Sequence, residues 1–150
     1  MITFDFEVST PSNSESEQYH LASVDEMTLR YDLLLGDITI KVDSADISAR
    51  WGWVPILDFA ASLRRVRAEL SQRDVADSVF EFTESDAKLY FSRSGTTALI
   101  SASFTPAKGL VSFTEFCSAV DVLIRRVVSL VSLQYPALLR NEAFRRLFEQ

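Results

Sequence analysis

The feature that most constrains the fold is a switch in hydrophobic period that happens twice along the chain. From Ile2 to Val8 apolar and polar residues alternate without a miss, the period-two pattern of a half-buried strand. Met27, Leu29, Tyr31, Leu33 and Leu35 alternate in the same way, as do Ile38, Ile40 and Val42 after Gly36-Asp37. Two alternating runs around a Gly-Asp pair predict a β-hairpin closed by a type I′ or II′ turn. The period then changes. Ile56, Phe59, Ala60, Leu63, Val66 and Leu70 follow helical spacing, with Pro55 suited to the first turn, so a helix is expected over about residues 54–71.

The alternation returns in three short runs, Val79–Thr83, Lys88–Arg93 and Thr97–Phe104, separated by Glu84-Ser85-Asp86-Ala87 and Ser94-Gly95. Separators of that length and chemistry predict an antiparallel meander. Pro106 and Gly109 mark a loop. Ser112-Phe113-Thr114-Glu115 has the form of a capping box, and the apolar stripe Phe113, Phe116, Cys117, Val120, Leu123, Ile124, Val127, Val131 continues to about Gln134. Pro136 stops that helix, and a shorter amphipathic one follows with Leu138, Leu139, Phe144, Leu147 and Phe148 apolar.

The element order is therefore β-β-β-α-β-β-β-α-α over a single domain, residues 1–150. Strand runs joined by short turns and closed by helices imply an α+β fold, a largely antiparallel sheet of about six strands with helices packed on one face. The other face, carrying Thr3, Asp5, Glu7, Thr28, Arg30, Asp32, Thr39, Lys41 and Asp43, is expected to meet water or a partner.

Several chemistries lack their residues. One Cys and one His leave no disulfide framework, no Cys-rich zinc site and little room for His-based catalysis. His20 lies in a polar run, residues 9–18 and beyond, expected to be a solvated loop. Cys117 falls on the apolar stripe of the long helix, where an unpaired Cys reads as packing. No G-x-S-x-G elbow and no glycine-rich phosphate cradle is present. Asp43-Ser44-Ala45-Asp46 faintly suggests a calcium loop but lacks its glycine and terminal Glu, so a plain turn is expected. No cofactor or metal is expected, and a carboxylate-only hydrolase is a weak option.

Charge is the more informative property. The net charge of −6 divides into ten acids against three bases in residues 1–50, and eleven against twelve in the rest. An acidic chain is a poor ligand for nucleic acid. Arg64, Arg65, Arg67, Arg73, Arg125, Arg126, Arg140, Arg145 and Arg146 could form a local basic patch, though cations near helix C-termini also complement the macrodipole. Val120–Leu133, the most apolar stretch, is interrupted by Asp121, Arg125 and Arg126, so no membrane segment is expected, and with no leader pattern the cytoplasm is the expected compartment. Acids on strand faces keep a protein soluble, and concentrated in one third of the chain they can also steer a basic partner. In Trp51-Gly52-Trp53-Val54-Pro55, Trp53 reads as a staple at the helix start and Trp51 as an interface anchor.

A small acidic α+β chain with the strands Met27–Asp43 and the string Trp51 to Ala60 opening a helix resembles, in general layout, the immunity proteins of bacterial polymorphic and contact-dependent toxin systems. That resemblance implies a non-enzymatic protein that blocks a basic toxin domain. The expected contact residues are Glu15, Glu17, Asp25, Glu26, Asp32 and Asp43, consolidated by Trp51. The competing expectation is a structural or assembly module that self-associates, as a homodimer for example, through its C-terminal helices.

Overall fold

The alternation at the N-terminus forms strand β1 (Ile2–Val8), which buries Phe4 and turns Thr3 and Glu7 to solvent. The computed structural model describes residues 1–9 and 21–148, so Glu15, Glu17 and His20 lie outside the described residues. After a short helix α1 (Glu26–Tyr31) come β2 (Leu35–Val42), β3 (Ala45–Asp46) and β4 (Ala49–Pro55). Helix α2 (Ile56–Ser71) leads to β5 (Val75–Glu81), β6 (Lys88–Ser94), β7 (Thr97–Ala102) and β8 (Lys108–Ser112). Helix α3 (Phe113–Gln134), a 3₁₀ turn (Pro136–Arg140) and α4 (Glu142–Phe148) close the chain. The α+β class is as expected. The strands, however, divide into two four-stranded antiparallel sheets instead of one six-stranded sheet.

Three local expectations are corrected. The alternating run from Met27 is a helix, because Asp25 accepts the Thr28 N–H at 2.8 Å and so caps a helical turn. Residues two apart on a helix face nearly opposite ways, and Leu29 is accordingly buried while Met27 is 71% exposed. Second, Gly36-Asp37 is no hairpin turn. It lies within β2, whose partner is β1, in unbroken register from Ile2↔Val42 to Val8↔Gly36. A Cβ on Gly36 would come within 2.0 Å of the Glu7 carbonyl oxygen, so this glycine serves a close approach between backbones.

Third, the expected loop at Pro106 and Gly109 contains β8. There a Cβ would meet Val42 Cβ at 2.5 Å, because Gly109 is where the second sheet abuts β2 of the first. The tight turn at Asp43 (φ +52°) leads into residues 44–52, which carry no clear period and hold β3 and the first part of β4, both paired with β2. The meander runs Val75–Glu81, Lys88–Ser94 and Thr97–Ala102; the last two lie close to the expected runs, the first begins four residues earlier than expected, and β8 is added to β7.

The core lies between the sheets. Phe59 of α2 touches Phe4 of the first sheet (centroids 6.5 Å apart) and Phe80 of the second (5.6 Å), and Phe116 of α3 spans Phe4 and Phe91 in the same way (both 5.9 Å). Helix α2 is buried continuously from Ile56 to Leu63 and again at Val66 and Leu70. Each of its buried Ile, Leu, Phe and Val side chains contributes about 1.5–3 kcal/mol by leaving water. Ser112 caps α3 by accepting the Glu115 N–H at 3.1 Å, and the helix ends at Gln134, before Pro136, as expected. Asn141 anchors the C-terminus: its side-chain amide donates to the Leu21 and Val24 carbonyls (2.8 and 2.9 Å), and its oxygen accepts the Phe144 N–H (3.1 Å).

Candidate functional site

The site begins with an irregularity in β4. Opposite it, β2 advances from Gly36 to Ile38 while β4 goes from Val54 back to Ala49, so residues 50–53 bulge outward. Gly52 takes φ +80°, a region open chiefly to glycine. Its N–H donates to the Asp37 carboxylate at 2.8 Å and its carbonyl accepts the Ser9 hydroxyl at 2.6 Å. The bulge is therefore pinned from both sides. It throws Trp51 and Trp53 out together, their rings 5.3 Å apart and nearly parallel at 26°.

Trp51 leans across to the second sheet, with its ring 4.9 Å from both Phe82 and Phe104, and Phe82 rests on Phe80 at 4.9 Å. Both indoles stay half-buried. With Ser85, Asp86, Ala87, Ser103 and Phe104 they line an open depression of about 640 Å³, in which Asp86 is the sole charged residue. On the other side of the turn at residues 84–87 lies a cavity of about 610 Å³, which reaches Tyr31, Asp58, Glu81 and Lys88. A third, of about 330 Å³, continues from Tyr31, Asp58 and Glu81 toward Arg30 and Arg65. The first two share Ser85, Asp86 and Ala87 and the last two share Tyr31, Asp58 and Glu81, so the three adjoin in a row, called the groove below, with an aromatic end and a charged end.

The charged end is internally paired. Asp58, in the first turn of α2, is 4% exposed and accepts Arg30 Nε at 2.8 Å; Arg30 also reaches Ser62 Oγ at 3.4 Å. Burial pushes the Asp58 carboxyl above its ordinary value, and Arg30 opposes that rise. Glu81 is bridged by Lys88 at 3.5 Å. These acids are held as ion pairs within the chain. Cys117 is half-buried against the core, and burial raises its thiol, so it is not an activated thiolate. Among the described residues no group of three His, Cys, Asp or Glu side chains is arranged to hold a metal ion, and no helix is long and apolar enough to cross a membrane.

The expected contact acids do not converge. Asp25 caps α1, Glu26 is exposed in its first turn, and Asp32 follows Tyr31, exposed at the helix end. Asp43 sits at the far end of β2, about 25 Å of strand from Leu35, where it accepts the N-terminal ammonium at 2.6 Å. Asp46 accepts the Ser48 N–H and pairs with Arg50, as in the plain turn expected there. Of the expected set, only Trp51 lines the groove among the described residues. Five of the nine arginines are engaged within the chain: Arg65 pairs with Glu69, Arg67 with Asp121, Arg126 with Asp5 and Arg146 with Glu142, while Arg64 donates to the Leu147 carbonyl.

Trp53, Phe82, Phe104, Asp86 and Asp58 were not legible as site residues. One signal did exist, since residues 51 and 53 share a face if the string is a strand. No family model matches the chain, and neither a curated protein nor a solved structure matches it.

Proposed function

We propose that this chain is a non-catalytic protein-binding domain whose contact surface is the aromatic end of the groove. The observation that carries the reading is the stacked Trp51–Trp53 pair, pinned by a glycine bulge and left half-open beside Asp86. Rigid aromatic surface costs little ordering entropy on binding, and Trp is enriched among residues that dominate binding energy. A carboxylate beside two indole faces suits a Lys or Arg side chain of the partner, through charge pairing and cation–π attraction. This supports a basic partner, and a toxin domain neutralised by an immunity protein is such a partner.

Isothermal titration against the product of the adjacent upstream gene tests the reading. Saturable 1:1 binding is expected, weakened at least about thirtyfold by Trp51→Ala, as for a residue of the dominant class. Asp86→Asn should weaken binding a few-fold, mostly in the association rate. No binding, or binding that Trp51→Ala leaves unchanged, overturns it.

A further inference from the structure

Half of the exposed large apolar side chains among the described residues lie on one surface, the outer face of the β5–β8 sheet: Val75 (72%), Val79, Tyr90 and Leu110 (62%). The register shows how they are arranged. One row across the sheet reads Val79, Tyr90, Ser101, Lys108, and the next reads Asp77, Ser92, Leu99, Leu110. The apolar members of the two rows join into an oblique stripe that crosses all four strands, with the half-buried Leu99 near its centre.

Charges flank that stripe unequally. Lys88 and Lys108 lie on one side, where Glu81 is bridged by Lys88 at 3.5 Å, and Asp77 lies on the other. We propose that this face is the interface of a weak homodimer, with a two-fold axis running along the stripe. Such an axis lays the apolar stripe on its own copy and exchanges the flanks, so that the lysine flank of one copy covers the Asp77 flank of the other. The four charges of this face cancel, so a strongly basic or acidic partner would meet repulsion on one flank for each attraction on the other. A second copy meets attraction on both. The C-terminal helices, expected to be the self-associating surface, bury Val120, Leu123, Val127 and Val131 in their own core.

Size sets the strength. Four strands about 4.8 Å apart and up to seven residues long give a footprint of roughly 19 by 24 Å. That is below the ~800 Å² per partner of stable complexes, so the dimer should form only at high concentration.

Sedimentation equilibrium of the full chain from about 5 μM to about 1 mM reads this directly. The apparent mass should rise from 16.9 kDa toward twice that value. Leu110→Asp should remain monomeric with an unchanged far-UV spectrum and melting temperature, because the side chain faces solvent. Asp77→Lys should weaken the dimer several-fold, and Lys88→Asp, on the flank that the axis lays over Asp77, should restore most of the loss when added to it. A monomer across the whole range overturns the proposal. So does a dimer that survives Leu110→Asp but is lost in Leu133→Asp, and a charge exchange without rescue overturns the axis along the stripe.

Discussion

Asn141 holds two distant parts of the chain with one side chain, and truncating it should be costly in a calculable way. It is 1% exposed, and all three of its side-chain hydrogen bonds are to backbone. In Asn141→Ala the Phe144 N–H loses its cap, worth about 1 kcal/mol. The Leu21 and Val24 carbonyls lose donors, at about 1 kcal/mol each when burial denies them water. The total is about 3 kcal/mol, which for a chain of this length lowers the melting temperature by roughly 6–12 °C. Asn141→Asp separates the contributions. It keeps an acceptor for the cap but places a carboxylate where two carbonyl oxygens stand at 2.8 and 2.9 Å. At pH 7 it should therefore destabilise at least as much as Ala does, and it should recover as the pH falls and the carboxyl gains a proton to donate. Urea unfolding of the three proteins measures this. A cost under about 1 kcal/mol for Ala, or a neutral Asp at pH 7, would refute the reasoning.

Other substitutions read other contacts. Gly109→Ala forces a methyl into Val42 at the seam of the two sheets and should cost about 1–3 kcal/mol by urea unfolding. Asp58 and Asp46 should show opposite pH dependence. Burial raises the Asp58 carboxyl above 3.8, so its contribution to stability is complete below that pH and is lost as pH rises through the raised value. Wild type should thus lose ground to Asp58→Asn on going from pH 3 to neutrality. The Ser48 hydroxyl and N–H, with Arg50, lower the Asp46 carboxyl to about 2. Its contribution is present above pH 3.8 and is lost on acidification toward 2, so wild type should gain on Asp46→Asn as the pH rises.

The parts of the fold legible in the sequence were those where period and capping agree. Helix α3 is the clearest: Ser112 caps it, its stripe is buried and Pro136 follows its end. The hairpin at Gly36-Asp37 failed because a glycine has two uses. Turn chemistry and close approach leave the same letter in the sequence, and only the partner, Glu7 of a strand far back in the chain, decides between them. Gly109 failed for the same reason, its partner being Val42. The run from Met27 failed because five alternating letters also fit a short helix, and the decisive residue, Asp25, lies outside the alternation. At the site, Trp51 could be singled out because tryptophan is enriched among residues that dominate binding energy. Phe82, Phe104 and Asp86 could not, since they join Trp51 only through contact between the two sheets.

The acidity of the first fifty residues takes on a different meaning once its partners are known. Asp5 pairs with Arg126 on α3 at 2.7 Å, Asp37 holds the Gly52 bulge, Asp43 holds the N-terminal ammonium, Asp46 stitches the turn before β4, and Asp25 caps α1. An acid paired with a cation leaves a local dipole whose field falls faster with distance than that of a free charge, and salt screens what remains within about 10 Å. Asp5 and Asp43 therefore contribute little to long-range steering. The acid that bears on a partner at the indole pair is the one lining that depression, Asp86 on the turn. Electrostatics of that extent sets how a partner approaches, whereas the affinity must come from desolvating Trp51 and Trp53. The association rate of a basic partner should accordingly fall with salt by a modest factor, while its dissociation rate follows the tryptophans.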